Sequence, residues 1–408
     1  MHSSLGVRRT RGAAAMLMAI AVLGITVGCT PEDHLRLGED LIESVTIPAF
    51  YEQPRDVPAG SPGDLIKREE ILGGPPGSRA WRVMYHSTGV HGESIVVTGL
   101  VVAPSGPAPN GGRTIVSWGH PTTGAAEECA PSASLDPFVS VEGLTALIDR
   151  GYVVAYTDYA GLGTAGPRSF LIGATEGNNV LDAARAATAI PETGSSNRLV
   201  LWGHSQGGHA ALFAAERAAA YAPELAVQAV AVAAPAADLG KLLDDDIGDI
   251  SGVTISSFAF TTYEAVYSSS VPSLDLDTIL TAEARAVFPK MAELCLLRSN
   301  SKLHSLGTPL IGKTLTADPA TTEPWATLLQ QNTPGTKRLD VPLLVVQGRS
   351  DTLVRPDDTT QFVEHERALG SDVRYSEYDD TTHATIALRA MPEVQQWLLD
   401  VGAGPTGS

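Results

Sequence analysis

The stretch over residues 197–216 constrains this chain more than any other. An apolar run at 199–202 reads as a short buried strand. An Ala-rich run at 210–219 reads as a helix, because Ala costs least in a helix interior. Between them stands Gly203-His204-Ser205-Gln206-Gly207, a G-x-S-x-G sequence. A strand that turns straight into a helix needs a very sharp bend, with Ser205 at its apex in a strained backbone conformation. Gly203 and Gly207 let strand and helix approach without a Cβ clash. The bend exposes the Ser205 hydroxyl at the positive end of the helix dipole. Glycine is abundant here, 40 of 408 residues, so the pentapeptide alone carries little weight. The β-type run before it and the helix-type run after it make Ser205 a candidate nucleophile. The bland alternative is a tight turn with an inert serine.

The alternation continues on both sides. β-type runs occupy 81–86, 95–103, 114–118, 152–157, 199–202, 227–233, 343–347 and 373–378. Helical patterns occupy 141–149, 176–190, 207–221, 357–369 and 386–400. This order predicts an α/β fold with a mostly parallel, eight-stranded sheet wound on both faces. The rhythm breaks over 236–340, after the sixth strand, where acidic, Ser-rich and helix-like pieces such as 280–297 contain no clear βα unit. An insertion at that place is expected to form a helical cap or lid over the top of the sheet; a loosely ordered surface excursion is the alternative. The core is then expected in two parts, 64–235 and 341–408.

Residues 1–28 read as a signal peptide. Arg8, Arg9 and Arg11 form a basic segment, and 13–27 is an apolar run too short to span a membrane comfortably. Cys29 follows directly, in a setting like a bacterial lipoprotein cleavage box, although Thr26 stands where Leu is usual. Lipidation of Cys29 is expected, with plain secretion as the alternative. Residues 29–63, polar and punctuated by Pro and Gly, read as a tether and N-terminal wrap, with one amphipathic patch at 34–45. Setting Cys29 aside leaves Cys129 and Cys295. An even pair in an exported protein points to a disulfide rather than a metal site; two buried free thiols are the alternative. The formal net charge of −18 argues against nucleic acid and against docking on anionic lipid. No cofactor and no metal are expected.

A serine hydroxyl needs a base to take its proton and a group to orient that base. Asp351 lies just past the apolar run at 343–347, and His383 follows the last β-type run. Both loops would sit at the carboxyl edge of a parallel sheet, and the order Ser205, Asp351, His383 is that of α/β-hydrolases. Asp357 and Asp358 read as helix-capping acids, and Asp379 and Asp380 stand too close to His383 in sequence to swing under it. His204 and His209 read as packing or hydrogen-bonding residues, and His365 as mid-helix and solvated. A tetrahedral intermediate needs oxyanion donors. The Gln206 N–H is one candidate. The loop at 119–124 supplies the other: Pro121 has no N–H, which leaves Thr122 or Thr123.

With these residues in view, the chain resembles the secretory lipases of the α/β-hydrolase superfamily, related to the yeast type A lipase. The matching segments are Tyr85-His-Ser-Thr88, Gly119-His-Pro-Thr-Thr-Gly124, Cys129-Ala-Pro-Ser132, Asp158-Tyr-Ala-Gly-Leu-Gly163, Asp182-Ala-Ala-Arg-Ala186, 203–208, Asn332-Thr-Pro-Gly335 and Gln347-Gly-Arg-Ser-Asp351. They span roughly residues 50–400. The resemblance implies the α/β-hydrolase fold, a Ser–Asp–His triad, a helical cap and hydrolysis of carboxylic esters, often lipid-like ones. Pro121 departs from the Gly usual after the oxyanion-loop histidine, which leaves the second donor open. Asp158 and Tyr159 read as structural, fixing the loop after the fourth strand.

The reading is an exported serine hydrolase, a lipase or esterase, that cleaves carboxylic esters, triacylglycerol being a candidate, through an acyl-enzyme. Its partner is a small-molecule or lipid ester, and membrane contact comes through a lipid anchor at most. A serine peptidase on the same fold and a non-catalytic lipoprotein that binds an apolar ligand are the alternatives. Acyl chain length and oligomeric state stay open.

Overall fold

The computed structural model describes residues 48–405 other than Leu297. The expected signal peptide, Cys29 and the first part of the expected tether lie outside the described residues. A nine-stranded sheet runs through the molecule: β1 (Leu65–Ile71), β2 (Ser78–Thr88), β3 (Ser94–Pro104), β4 (Arg113–Gly119), β5 (Val153–Thr157), β6 (Ser195–His204), β7 (Ala226–Ala233), β8 (Leu343–Gly348) and β9 (Val373–Tyr378). Its order is β1-β2-β3-β5-β4-β6-β7-β8-β9. The first three strands form antiparallel hairpins and β3 meets β5 antiparallel. Every later pairing is parallel.

The sheet has one strand more than the eight expected. β1 reads Leu-Ile-Lys-Arg-Glu-Glu-Ile, and none of its residues is fully buried. A charged edge strand discourages pairing with other chains, and the same charges hide the apolar alternation that betrays a strand. β4, β5 and β8, by contrast, are buried at every residue, which is why they read as continuous apolar runs.

Ten α-helices accompany the strands among the described residues: α1 (Leu144–Asp149), α2 (Gly173–Thr188), α3 (Gln206–Tyr221), α4 (Leu239–Asp246), α5 (Ile250–Tyr267), α6 (Ala282–Met291), α7 (Asn300–Gly307), α8 (Trp325–Gln331), α9 (Pro356–Leu369) and α10 (Ile386–Asp400). Val180, Leu181, Ala210, Ala211 and Phe362, from α2, α3 and α9, pack on one sheet face. Leu144, Leu147, Ile386, Met391 and Trp397, from α1 and α10, pack on the other, around Trp118 and Trp202.

Helices α4–α8 lie between β7 and β8, the sixth and seventh of the expected strands. Their core, including Phe258, Phe260, Tyr263, Phe288 and Trp325, is shared with Ala125, Phe170, Leu171 and Ile172 from the loops below. The expected Cys129–Cys295 disulfide is present and ties this insertion to the segment after β4, with Cα atoms 5.2 Å apart. Beside it, the Leu296 N–H donates to the Thr123 carbonyl at 2.8 Å. Arg168 also pairs with Glu293 across the same seam. Among the described residues, no helix is long and apolar enough to cross a membrane.

Candidate active site

At the carboxyl end of β6 the backbone bends at Ser205 and runs directly into α3. Ser205 has φ 57° and ψ −119°, a left-handed conformation that costs a non-Gly residue on the order of 1–3 kcal/mol. The bend is possible because its neighbours lack side chains. A Cβ on Gly203 would lie 2.0 Å from the Gly207 carbonyl oxygen, and one on Gly207 would lie 1.8 Å from that of Gly119. The Ser205 N–H donates to Ala233 O at 3.0 Å, and its carbonyl accepts from Ala236 N at 3.1 Å. These bonds fasten the bend to the end of β7.

The loop after β8 carries Asp351, and the 3-10 turn His383–Thr385 after β9 carries His383. His383 Nδ1 lies 2.8 Å from Asp351 Oδ2. The carboxylate is buried and takes three further donors: Gln347 Nε2 at 3.2 Å and the N–H groups of Leu353 and Val354, each at 2.9 Å. An acceptor-only partner puts the imidazole proton on Nδ1 and leaves the lone pair of the neutral ring on Nε2. Asp379 is engaged elsewhere, with Arg349 Nη1 at 2.6 Å. Asp357 and Asp358 lie in the first turn of α9, and the ring of the exposed His365 reaches Gly335 O at 2.9 Å.

The loop after β4 brings Thr122 to the bend. Thr122, Ser205 and Gln206 line one narrow space, walled by Phe170, Leu171, Leu242, Ile255 and Leu353. Thr123 faces the insertion instead, where it lines a groove with Cys129, Cys295, Leu135, Val139 and Arg298. His120 holds the loop. Burial pushes its pKa down to about 4, so the ring is neutral at pH 7. Its Nδ1 lies 2.7 Å from Pro121 O and its Nε2 lies 3.3 Å from Asp158 O. Tyr159, at φ 67°, donates its hydroxyl to His120 O at 3.2 Å. The Asp158 carboxylate is fully buried and accepts from Thr98 Oγ1 at 2.7 Å and Ser132 N at 2.9 Å. Asp158 and Tyr159 thus fix the loop from below.

Two acids that sequence reading passed over lie against the bend. Glu176 of α2 is fully buried. Its Oε1 accepts from Gln206 Nε2 at 2.6 Å and from Leu171 N at 3.0 Å, and its Oε2 lies 3.1 Å from His209 Nδ1. His209 Nε2 in turn lies 2.8 Å from Asn332 O, and the Asn332 side chain accepts from Gly173 N at 2.9 Å. Glu142, just before α1, lies 3.0 Å from His204 Nδ1 through Oε2. Glu176 stands in the first turn of α2, where an acid suits the helix dipole, and nothing in the local sequence marks it as buried.

Strand order, crossovers and the serine bend after β6 define an α/β-hydrolase. A family model described as secretory lipase matches residues 139–406. The chain belongs to the secretory lipase family. Lipase 5 of Candida albicans is 24% identical over 394 residues, 86% of this chain and 79% of that protein. Lipase A of Moesziomyces aphidis matches over 190 residues at 28% identity, 43% of this chain and 40% of that protein. A Mycobacterium tuberculosis protein named a probable inactive lipase is 23% identical, over 87% of this chain and 82% of its own. Among solved structures, Candida antarctica lipase A in its closed state superposes with a TM-score of 0.71 at 18% identity, covering 87% of this chain and 85% of that one.

Proposed function

We propose that this protein is an exported serine esterase that hydrolyses carboxylic esters, lipid esters among them, through a covalent acyl-enzyme on Ser205. The observation that carries the reading is the 2.8 Å contact between His383 Nδ1 and the buried Asp351, at the same sheet edge as a serine in a strained strand-to-helix bend. Ser205 Oγ attacks the ester carbonyl while His383 Nε2 takes its proton. Asp351 holds the Nδ1–H and stabilises the imidazolium. The N–H groups of Gln206 and Thr122 receive the oxyanion. The imidazolium then returns its proton to the departing alkoxide. Water enters, loses a proton to the same Nε2 and releases the acid.

The apolar walls Phe170, Leu242 and Ile255 suit an aliphatic acyl chain. Export is supported by the basic and apolar leader and by the disulfide, which persists in oxidising compartments. A lipid on Cys29 would keep the enzyme at the cell surface, and intact mass of membrane-extracted protein tests it. The decisive experiment is hydrolysis of p-nitrophenyl butyrate by the purified protein and by Ser205→Ala. Turnover by the native chain and its loss in the variant are expected. Loss of a triad nucleophile costs on the order of a million-fold in rate. An inert native chain, or native-like turnover without Ser205, refutes the reading.

A further inference from the structure

His204 occupies the first variable position of G-x-S-x-G. Its ring is 3% exposed. Nδ1 lies 3.0 Å from Glu142 Oε2, while Nε2 is buried without a hydrogen-bond partner among the described residues. The His204 and His383 ring centroids lie 4.9 Å apart, with planes tilted by 41°. Glu142 is itself fixed, because its carbonyl accepts from Trp202 Nε1 at 3.3 Å. Two carboxylate–imidazole pairs therefore meet ring against ring: Glu142 with His204, and Asp351 with His383.

A buried nitrogen left without a partner costs free energy, and packing alone does not explain it, since a phenyl ring would fill the same space. A carboxylate accepts only, so His204 carries its proton on Nδ1, and the negative charge of Glu142 is felt through one polarisable ring. We propose that Glu142 and His204 are positioning residues for His383, which hold its ring in place and stabilise the imidazolium formed when it takes the Ser205 proton. The proposal rests on the triad reading above.

The titratable groups that face His383 are Asp351, from the loop after β8, and His204, from the end of β6. Those that face His204 are Glu142 and His383. Of the acids before His383, Asp380 is exposed to solvent, and Glu377 and Asp379 are engaged elsewhere. Arg349 holds Glu377 and Asp379, and Arg389 donates to the carbonyls of Asp379 and Asp380. Glu142 is a further negative neighbour, one ring removed. A cation on His204 would oppose a second cation on His383.

The test is the pH dependence of kcat and kcat/KM on a soluble ester for native enzyme, Glu142→Gln, Glu142→Asp, His204→Phe and Ser205→Ala. Glu142→Gln keeps an acceptor for His204 Nδ1 but removes the charge. Its expected effects are a kcat about threefold lower, an unchanged KM, and an acid limb moved down by roughly half a pH unit. Glu142→Asp restores most of both. His204→Phe moves the limb in the same direction and carries the test if Glu142→Gln folds poorly. An acid limb that stays put in both Glu142→Gln and His204→Phe overturns the proposal, whether the rate is native or reduced. Ser205→Ala separates the two readings. Its inactivity alongside native-like Glu142→Gln refutes the positioning role alone, and its activity refutes the nucleophile.

Discussion

Glu176 and Gln206 meet at 2.6 Å with both residues buried. The contact joins α2 to the first residue of the helix that follows Ser205, so the acid sets the side chain whose own N–H is the proposed oxyanion donor. Glu176→Ala strands the Gln206 amide, His209 and the Leu171 N–H together. A loss of about 3–5 kcal/mol is expected, read as a lower urea midpoint at unchanged m. Unchanged stability would mean that Gln206 and His209 find other partners.

Asp351→Asn should leave the fold intact and lower kcat by on the order of ten-thousand-fold, because an amide at that place favours the wrong imidazole tautomer. Asp379→Asn should leave kcat within a few-fold of native, since its carboxylate serves Arg349. Steady-state kinetics on one ester decides both. The reverse ranking would assign the orienting acid to Asp379.

His120 is expected to make the fold acid-labile. Its folded pKa of about 4 lies below its ordinary 6.5, with burial as the largest cause. Between those values the unfolded chain binds a proton that the folded chain refuses. Stability is therefore fully present above pH 6.5 and falls as the pH drops toward 4, by up to roughly 3 kcal/mol in all. Urea midpoints at pH 7 and pH 4.5 should differ less in His120→Asn than in the native chain. Equal differences would show that other groups carry the acid lability.

The Cys129–Cys295 bridge closes a separation of 166 residues, for which the chain-entropy treatment gives about 4–5 kcal/mol. Replacing both cysteines with serine should lower the melting temperature by several degrees. It should also loosen Thr123, whose carbonyl is bonded to the residue after Cys295. Ester turnover should then fall at a lower urea concentration than global unfolding, as followed by tryptophan fluorescence. Coincident loss of the two signals would show that the bridge does not steady the oxyanion loop.

Much of the fold is written in local pattern. The strand–bend–helix at 197–216 and the buried runs of β4, β5 and β8 are legible because a parallel sheet covered on both faces demands continuous apolar stretches. β1 is not legible, because an edge strand solvated on both sides needs no such pattern. Within the candidate site, Asp351 and His383 could be picked out since each follows a β-type run, apolar in β8 and mixed in β9. Glu176 and Glu142 could not. Glu176 meets Gln206 across 30 residues of sequence and Glu142 meets His204 across 62, and nothing local marks an acid as buried. Thr122 and Thr123 both offer an N–H, and only the folded loop puts Thr122 on the space it shares with Ser205 and Thr123 on the groove beside the insertion.

Gly119, Gly203 and Gly207 touch so closely that a Cβ on any of them would strike backbone within 2.5 Å. That contact belongs to the spacing of β4, β6 and α3 and is indifferent to the hydroxyl between them. On the proposed mechanism, a descendant that exchanged Ser205 for alanine would lose its chemistry at one stroke, while its sheet went on requiring every glycine. Retirement of such an enzyme would then proceed in a set order, with the nucleophile free to drift and the glycines held back by geometry. A survey that relied on the glycines would gather working and retired members alike, and only the residue at the apex would tell them apart.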